Sequence, residues 1–221
     1  RTAFQGHPYA WPVMGIERDL DRITAESCRA YHRERYAPNN AVLTIVGRFD
    51  SDEVLRLVRQ VFDPLPRRTV PVAAPPAFDA QTAERRVTER TDAPVPLVLV
   101  GWRAPGCADP SNVALDLFSR ILSSGPASRL QRALSRPSLA CLAVEGGFDS
   151  RRDASLLYAA AALRPGSDRA AVERELLEQV EQLALRPVAA ADLERVKREA
   201  ELAILVERET PHGRAQELGE A

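Results

Sequence analysis

The 221-residue sequence is poor in the residues that most often build catalytic metal sites. It contains only three histidines and three cysteines, and no H-E-x-x-H or H-x-x-E-H sequence brings two histidines together. There is no C-x-x-C pair, which excludes a zinc knuckle. Phosphate-binding glycine loops and the G-x-S-x-G sequence of hydrolases are absent as well. We therefore predict that this chain alone holds no metal, no cofactor and no catalytic residue.

Charge excess and long apolar runs are also lacking. The formal net charge of -1 provides no field that would steer the chain to nucleic acid or to an anionic membrane. No apolar run approaches the roughly 18 residues of a membrane span. The chain begins with Arg1, so the missing signal peptide says nothing about its compartment. Lys197 is the only lysine among 30 basic residues, a skew typical of codon bias.

Aromatic residues make up only 5% of the sequence. An antiparallel sheet covered by helices on one face could in principle bind RNA through aromatic residues on its central strands. The predicted strands offer only Trp102 and Tyr158, and the chain has no basic excess. This composition does not favour an RNA-binding domain.

The stretch Tyr36–Asp50 is the most informative part of the sequence. Val42–Val46 is mostly β-branched and, apart from Thr44, apolar on both sides, which predicts a strand that is buried on both faces. Thr24 is a predicted N-cap for a preceding helix that ends near Pro38. After Gly47 a second helix is predicted, with its apolar residues at helical spacing. On the first helix Cys28 and His32 lie four residues apart, but no second pair of ligands completes a metal site.

A proline-rich segment, residues 67–82, predicts a linker between two domains. Residues 1–66 would be the tail of a first domain, and residues 83–221 a second one. Strands are predicted at Arg86–Thr91, Leu97–Trp102, Leu139–Val144 and Ser155–Ala162. Helices are predicted from Asp109-Pro110, around Ser128, from Asp168, and over Ala191–Glu209. The order β-β-α-α-β-β-α-α predicts an α+β fold with helices layered on one face of an antiparallel sheet.

Four stretches together resemble the insulinase–pitrilysin family of zinc metallopeptidases, in its mitochondrial-processing-peptidase-like branch. They are His7-Pro-Tyr with Pro12 and Gly15, Tyr36-Ala-Pro-Asn-Asn with Val46-Gly47, Ser128-Arg-Leu130, and Leu193-Glu-Arg-Val-Lys197. The resemblance implies two similar α+β domains per half and two halves that close around a peptide. It also implies that the catalytic zinc, held by H-x-x-E-H and a further Glu, lies upstream of His7. Exported or periplasmic localisation in bacteria follows by analogy with the family.

The family also implies an Arg and a Tyr, seven residues apart, that hold the substrate carbonyl from the opposite half. Donors of this kind stabilise a developing oxyanion. Here Ser135 or Arg136 lies near the Arg position, and Cys141 lies at the Tyr position, in a run one residue short. We interpret Ser135, Arg136 and Cys141 as degenerate substrate-binding positions. Arg48 also departs from the Asp that the family usually has after the strand.

The sequence therefore predicts a non-catalytic part of a zinc metallopeptidase, which completes a peptide-binding chamber with a zinc-bearing domain or subunit, as an intrachain contact or a dimer. One alternative is a fragment of a competent endopeptidase whose H-x-x-E-H segment lies upstream. Another is a structural subunit related to processing peptidases. We further predict that residues 24–62 dock onto the sheet of residues 83–209, because a strand as apolar as Ala41–Val46 needs a partner.

Overall fold

The computed structural model describes residues 1–71, 81–136, 139 and 141–220. Contacts divide the chain into two compact units. The first, here called the sheet unit, comprises Arg1–Gly6 and Asp79–Glu201. The second, the helical unit, comprises His7–Phe78 and Leu202–Ala221. None of the described helices is both long enough and apolar enough to cross a bilayer.

Eight helices and three strands are described, and the division between the two units falls within the seventh helix. The helices are α1 (Glu17–Leu20), α2 (Ala25–Arg35), α3 (Ser51–Phe62), α4 (Ser111–Ser123), α5 (Arg129–Leu134), α6 (Arg169–Leu185), α7 (Ala190–Arg208) and α8 (Pro211–Glu220). The strands are β1 (Leu97–Pro105), β2 (Cys141–Asp149) and β3 (Ala154–Leu163). Short 3-10 turns lie at Pro8–Ala10 and Pro38–Asn40.

The three strands form one antiparallel sheet in the order β1-β3-β2. The central strand β3 pairs with β1 along its whole length, from Leu97 opposite Ala162 to Pro105 opposite Ala154. Its other edge pairs with β2, with an irregularity between Cys141 and Ala143. The predicted α+β class with an antiparallel sheet is confirmed.

The core of the sheet unit lies between one face of this sheet and the helices α4, α5 and α6. Val172, Leu176, Val180 and Leu183 of α6 recur every three or four positions and are buried, as the sequence predicts. Asp168 begins this helix, and its carboxylate accepts hydrogen bonds from the backbone N–H groups of Ala170 and Ala171. The fully buried large residues are Leu122, Leu130, Leu134, Leu163, Leu176, Val172 and Val196.

The predicted N-cap at Thr24 in the helical unit is confirmed. Thr24 is the N-cap of α2: its hydroxyl accepts the Ser27 N–H, and the Ser27 hydroxyl accepts the Thr24 N–H. Asp50 caps α3 by accepting the Glu53 N–H at 2.9 Å. These ends form because the capping side chain and the helix N–H groups are close in sequence.

The predicted buried strand at Val42–Val46 is wrong. The segment is extended but belongs to no described strand, and Val42 is 78% exposed. Because the sheet of the described residues contains only β1, β3 and β2, the predicted docking of residues 24–62 onto that sheet through this strand is also wrong. The apolar composition of Val42–Val46 indicates burial. A strand forms, however, only where a neighbouring strand supplies hydrogen bonds.

The predicted strand at Arg86–Thr91 is wrong too. These residues are exposed and form no strand ladder. Arg86 instead pairs with Glu84 on its own segment and with Glu173 on α6, at 2.7 Å each, and these carboxylates raise the pKa of its guanidinium. The alternating pattern of Arg86–Thr91 therefore belongs to a charged segment on the surface. The order of the described elements after residue 83 is β-α-α-β-β-α-α-α.

The predicted domain boundaries remain a prediction. The compact units differ from them in grouping Leu202–Ala221 with residues 7–78. Most of the proline-rich segment, residues 72–80, lies outside the described residues.

Candidate functional site

Ser135 and Arg136, two of the three degenerate positions, lie exposed at the end of α5. Ser135 ends this helix: its N–H donates to the Gln131 carbonyl, and its hydroxyl accepts from the Gln131 side-chain amide at 2.9 Å. The Arg136 guanidinium forms no ion pair with any described residue, whereas its carbonyl accepts the Leu139 N–H at 3.1 Å. Arg136 is therefore an exposed cation with no carboxylate partner among the described residues.

Cys141 lies in a different environment, at the first position of β2. It is half-buried and packs against the core of the sheet unit. Its Sγ lies 3.8 Å from the Leu139 carbonyl oxygen, and burial raises the pKa of the thiol. A neutral thiol held against the core is a poor replacement for a phenol that must reach a substrate. The functional roles of Ser135, Arg136 and Cys141 stay predictions.

The histidines do not come together in a zinc site. Within the described residues no three His, Cys, Asp or Glu side chains are grouped for a metal ion. His7 is buried, its Nδ1 accepts the Tyr9 N–H at 3.1 Å, and its ring meets Tyr9 edge-on. His32 is stacked on Tyr36, with ring centroids 4.9 Å apart. Cys28 lies near it in an open depression on α2 but brings no third ligand. These residues do not fit the catalytic zinc of a metallopeptidase.

The Tyr36–Asn40 stretch, which carries the family resemblance, has a structural role. Asn39 pairs with Arg68 through two hydrogen bonds of 2.9 Å, one to its carbonyl and one from its N–H. Asn40 donates to the Arg35 carbonyl at 2.8 Å and so satisfies the end of α2. The two asparagines therefore hold the start of the proline-rich segment and the helix end in place.

The Ser128–Leu130 and Leu193–Lys197 stretches are structural too. Ser128 is buried and caps α5, and Leu130 is fully buried in the core. On α7, Val196 is fully buried, while Lys197 pairs with Glu194 at 3.1 Å on the exposed side. In this chain both stretches build the fold, and the residues named here bring no reactive side chain to a common site.

Sequence reasoning missed the side chains on the helix-free face of the sheet. The register places Gly101, Tyr158 and Gly147 side by side on β1, β3 and β2. The Tyr158 ring leans over Gly147, where an added Cβ would lie 3.0 Å from its hydroxyl. That hydroxyl lies 3.2 Å from a Glu145 carboxylate oxygen. Burial, and then the charge of Glu145, raises the pKa of Tyr158.

A charged row borders this face beyond Tyr158. Arg103 on β1 and Asp149 on β2 both lie opposite Leu156 of β3. The Asp149 carboxylate accepts a hydrogen bond from the Arg151 Nε at 2.8 Å. The Arg151 guanidinium in turn lies 5.9 Å from the ring centre of Phe4, which is buried. The period-two pattern of β2 and β3 could have indicated this face, but nothing in the sequence links it to Phe4.

Comparisons with known proteins all indicate the same family. Residues 22–200 match the family described as "Peptidase M16 inactive domain". The zinc protease PqqE of Helicobacter pylori is 26% identical over 200 residues, which cover 89% of this chain and 45% of that protein.

Two solved structures show the same fold over 99% of this chain. A protease from Helicobacter pylori has a TM-score of 0.88 at 23% identity, and 54% of that chain is covered. A peptidase M16 inactive domain from Pseudomonas fluorescens has a TM-score of 0.78 at 21% identity, with 52% covered. The chain thus spans about half the length of these relatives. It belongs to the peptidase M16 inactive domain family, as the resemblance to insulinase–pitrilysin peptidases predicts.

Proposed function

We propose that this chain completes a peptide-binding chamber with a zinc-bearing domain or subunit and binds no zinc itself. The observation that carries the proposal is the separation of the three histidines into unrelated environments, with His7 engaged by Tyr9 and His32 stacked on Tyr36. Zinc sites need three or four ligands at bonding distance. The chemistry of peptide hydrolysis would therefore belong to the partner, and this chain would supply a wall of the chamber.

The apolar surface of the helical unit supports the need for a partner. Val42, Leu43 and Ile45 are exposed on one segment, and α3 exposes Leu55 and Phe62. Large apolar surface left in water on a soluble protein is typical of an interaction site. A zinc-bearing domain that covers this surface would be joined to the chain by the hydrophobic effect.

We further infer that Ser135, Arg136 and Cys141 contribute little to any hydrolysis in the assembled chamber. Arg136 is exposed and unpaired within the described chain, and Cys141 faces the core. In the assembled complex, Arg136→Ala should change kcat/KM less than about threefold, well short of the hundredfold or more that one lost oxyanion donor costs. A loss of that larger size would mean that Arg136 still binds the substrate carbonyl.

Metal analysis of the untagged chain tests the absence of zinc. After dialysis against zinc-containing buffer and then metal-free buffer, we expect less than about 0.1 zinc per chain, since no chelating cluster holds the ion. The matched control is His7→Ala/His32→Ala, which should retain the same trace amount. Stoichiometric zinc that this double variant loses would contradict the proposal. So would chelator-sensitive peptide cleavage by the chain alone.

A further inference from the structure

We propose that four arginines of the helical unit form a binding surface for an acidic segment of a partner protein, one rich in Asp and Glu. This surface, here called the basic patch, comprises Arg29, Arg33, Arg67 and Arg68, all of which are exposed. The first two lie on α2, and the other two follow α3. The proposal goes beyond the zinc partnership, because it concerns the recognition of carboxylates and is tested on the chain alone.

Hydrogen bonds bring the two halves of the basic patch together. The Asn39 side chain donates to the Arg68 carbonyl and accepts the Arg68 N–H, at 2.9 Å each. The Arg68 guanidinium donates to the Arg33 carbonyl at 2.6 Å. Because these three bonds fix the backbone and the side chain of Arg68, they hold its neighbour Arg67 at the end of α2 that carries Arg33.

The positive charge of the basic patch is not neutralised within the part of the chain that the structure describes. Glu34 pairs with Arg35 at 3.0 Å, whereas Arg29, Arg33 and Arg67 form no ion pair with a described residue. Like charges four positions apart on a helix, as at Arg29 and Arg33, oppose helix formation. The dipole at the end of a helix is equivalent to only about half a negative charge. Most of the positive charge is therefore available to an external anion.

The open depression on α2 gives a carboxylate a place within the basic patch. Its lining residues are Cys28, Arg29, His32 and Arg33. The His32 ring is held by stacking on Tyr36 and so forms a flat wall of the depression. An arginine guanidinium offers N–H groups in a planar fork that matches the two oxygens of a carboxylate. An Asp or Glu side chain that enters the depression therefore meets both Arg29 and Arg33.

The surroundings of the basic patch favour a protein ligand over a nucleic acid. Tyr31 on the same helix is 61% exposed, and Val42, shortly after Asn39, is 78% exposed. Aromatic residues and arginine are both enriched at protein–protein interfaces. The whole chain has a net charge of -1 and so provides little long-range attraction for a polyanion such as RNA. A local group of arginines beside apolar side chains suits a short acidic segment of a protein.

Peptide binding to the 221-residue chain tests the proposal. Fluorescence anisotropy compares a labelled peptide of alternating Glu and Gly with a peptide in which Gln replaces every Glu. At low salt the acidic peptide should bind at least about tenfold more tightly, and the difference should shrink at high salt because ions screen exposed charges. Equal affinity for the two peptides, or no measurable binding of the acidic one, would overturn the proposal.

Substitutions locate the binding on the basic patch. Arg29→Gln/Arg33→Gln should weaken the acidic peptide by about tenfold, because two charge-assisted contacts are lost while helix propensity is kept. Arg56→Gln/Arg59→Gln is the matched control: it removes two exposed arginines from α3 in the same unit and should change the affinity less than about twofold. Equal losses in the two double variants would assign the binding to general charge and contradict the proposal.

Asn39→Ala gives a second test that changes no charge. It removes both hydrogen bonds between the Asn39 side chain and Arg68, so Arg67 and Arg68 are no longer held beside α2. The acidic peptide should then bind severalfold more weakly, whereas circular dichroism should show the helix content of the parent chain. Full affinity in Asn39→Ala would contradict the assembly of the patch from two segments.

Other ligands of the basic patch give different results. Single-stranded RNA or anionic phospholipid vesicles that bind more tightly than the acidic peptide, and that Arg29→Gln/Arg33→Gln releases, would assign the patch to that ligand and overturn the proposal. In the assembly with the zinc-bearing domain, the same variant could instead raise KM for cleavage of an acidic peptide and leave KM for a neutral one unchanged. That result would assign the patch to the substrate, against a partner protein. Neither outcome depends on the zinc measurement.

Discussion

The sheet unit and the helical unit are built from equally apolar sequence, but the buried hydrophobic cluster of the described residues lies entirely in the sheet unit. In the sheet unit, Leu122, Leu130 and Leu176 are fully buried between the sheet and its helices. In the helical unit, α3 and the segment Ala41–Val46 expose nearly all their large apolar side chains. Both units have well-capped helices.

The difference teaches that capping and burial have separate origins. A cap is satisfied by residues three or four positions away, so it forms wherever its sequence occurs. Burial needs side chains from elsewhere in the polypeptide, and the helical unit does not receive them from the described residues. We propose that the exposed apolar residues of the helical unit form one half of an interface, whereas the sheet unit forms a core by itself.

Removal of a large apolar side chain should give the largest difference in stability between variants of the two units. Leu176→Ala, in the sheet unit, leaves a cavity in a closed core and should lower the free energy of unfolding by about 2–5 kcal/mol. Leu202→Ala, at a site 60% exposed in the helical unit, should change it by less than about 0.5 kcal/mol. Urea unfolding followed by circular dichroism measures both. Equal losses would mean that the helical unit shares a core in the isolated chain.

Substitution of two closely packed glycines by alanine should give the next largest difference in stability. A Cβ at Gly106 would lie 2.2 Å from the Arg152 carbonyl oxygen, and one at Gly213 would lie 1.9 Å from the Glu207 carbonyl oxygen. Gly106→Ala should cost about 1–3 kcal/mol of global stability, because it pushes the β2–β3 turn away from the loop after β1. Gly213→Ala should distort only the α7–α8 corner and leave the main transition in place.

Gly47→Ala is the control for both glycine variants, since its Cβ would meet only Phe49 at 3.8 Å. It should unfold like the parent chain. A large loss in Gly213→Ala, equal to that of Gly106→Ala, would show that the α7–α8 corner belongs to the cooperative core.

Loss of a helix cap should lower the free energy of unfolding by a smaller amount. We expect this loss only for a helix of the sheet unit, because those helices pack on the buried core. Asp168→Ala removes the acceptor of two α6 N–H groups and should cost about 1 kcal/mol in global unfolding. Thr24→Ala should reduce the helical signal of α2 slightly without a shift of the unfolding midpoint. A midpoint shift in Thr24→Ala equal to that of Asp168→Ala would contradict the separation of the two units.

The smallest effect concerns the ionisation of Tyr158 in the sheet unit. Because burial and Glu145 raise its pKa above the unfolded value of 10.0, the folded state holds the phenol proton more tightly. The stability this provides is present below pH 10 and is lost as the pH rises through the folded pKa. Glu145→Gln should lower the pH at which the Tyr158 phenolate absorbs, measured by difference with Tyr158→Phe. Glu178→Gln, far along α6, is the control and should leave that titration unchanged.

The parts of the fold that depend on local sequence could be predicted. The caps at Thr24 and Asp168 and the buried spacing on α6 follow from residues that are close in sequence, and β1, β2 and β3 were indicated by their own apolar runs. The failures were strands that need distant partners. Val42–Val46 has the composition of a buried strand but no neighbouring strand, and Arg86 pairs with Glu173 instead of joining a sheet.

The candidate site could be predicted only in part from the sequence. The spacing indicated Ser135, Arg136 and Cys141, but only the structure shows that Arg136 is solvated and that Cys141 faces the core. The helix-free face was missed because cross-strand neighbours such as Tyr158 and Gly147 are set by register. Phe4 and Arg151 are about 150 residues apart in the chain, a contact that no local pattern predicts.

Hydrogen exchange of residues 41–46 tests most directly whether the helical unit is half of an interface. In the isolated chain their backbone amides should exchange within about tenfold of an unstructured peptide, since they form no strand ladder. In the assembly with the zinc-bearing domain they should be slowed by about a hundredfold or more. Slow exchange already in the isolated chain, or no slowing in the assembly, would contradict the account.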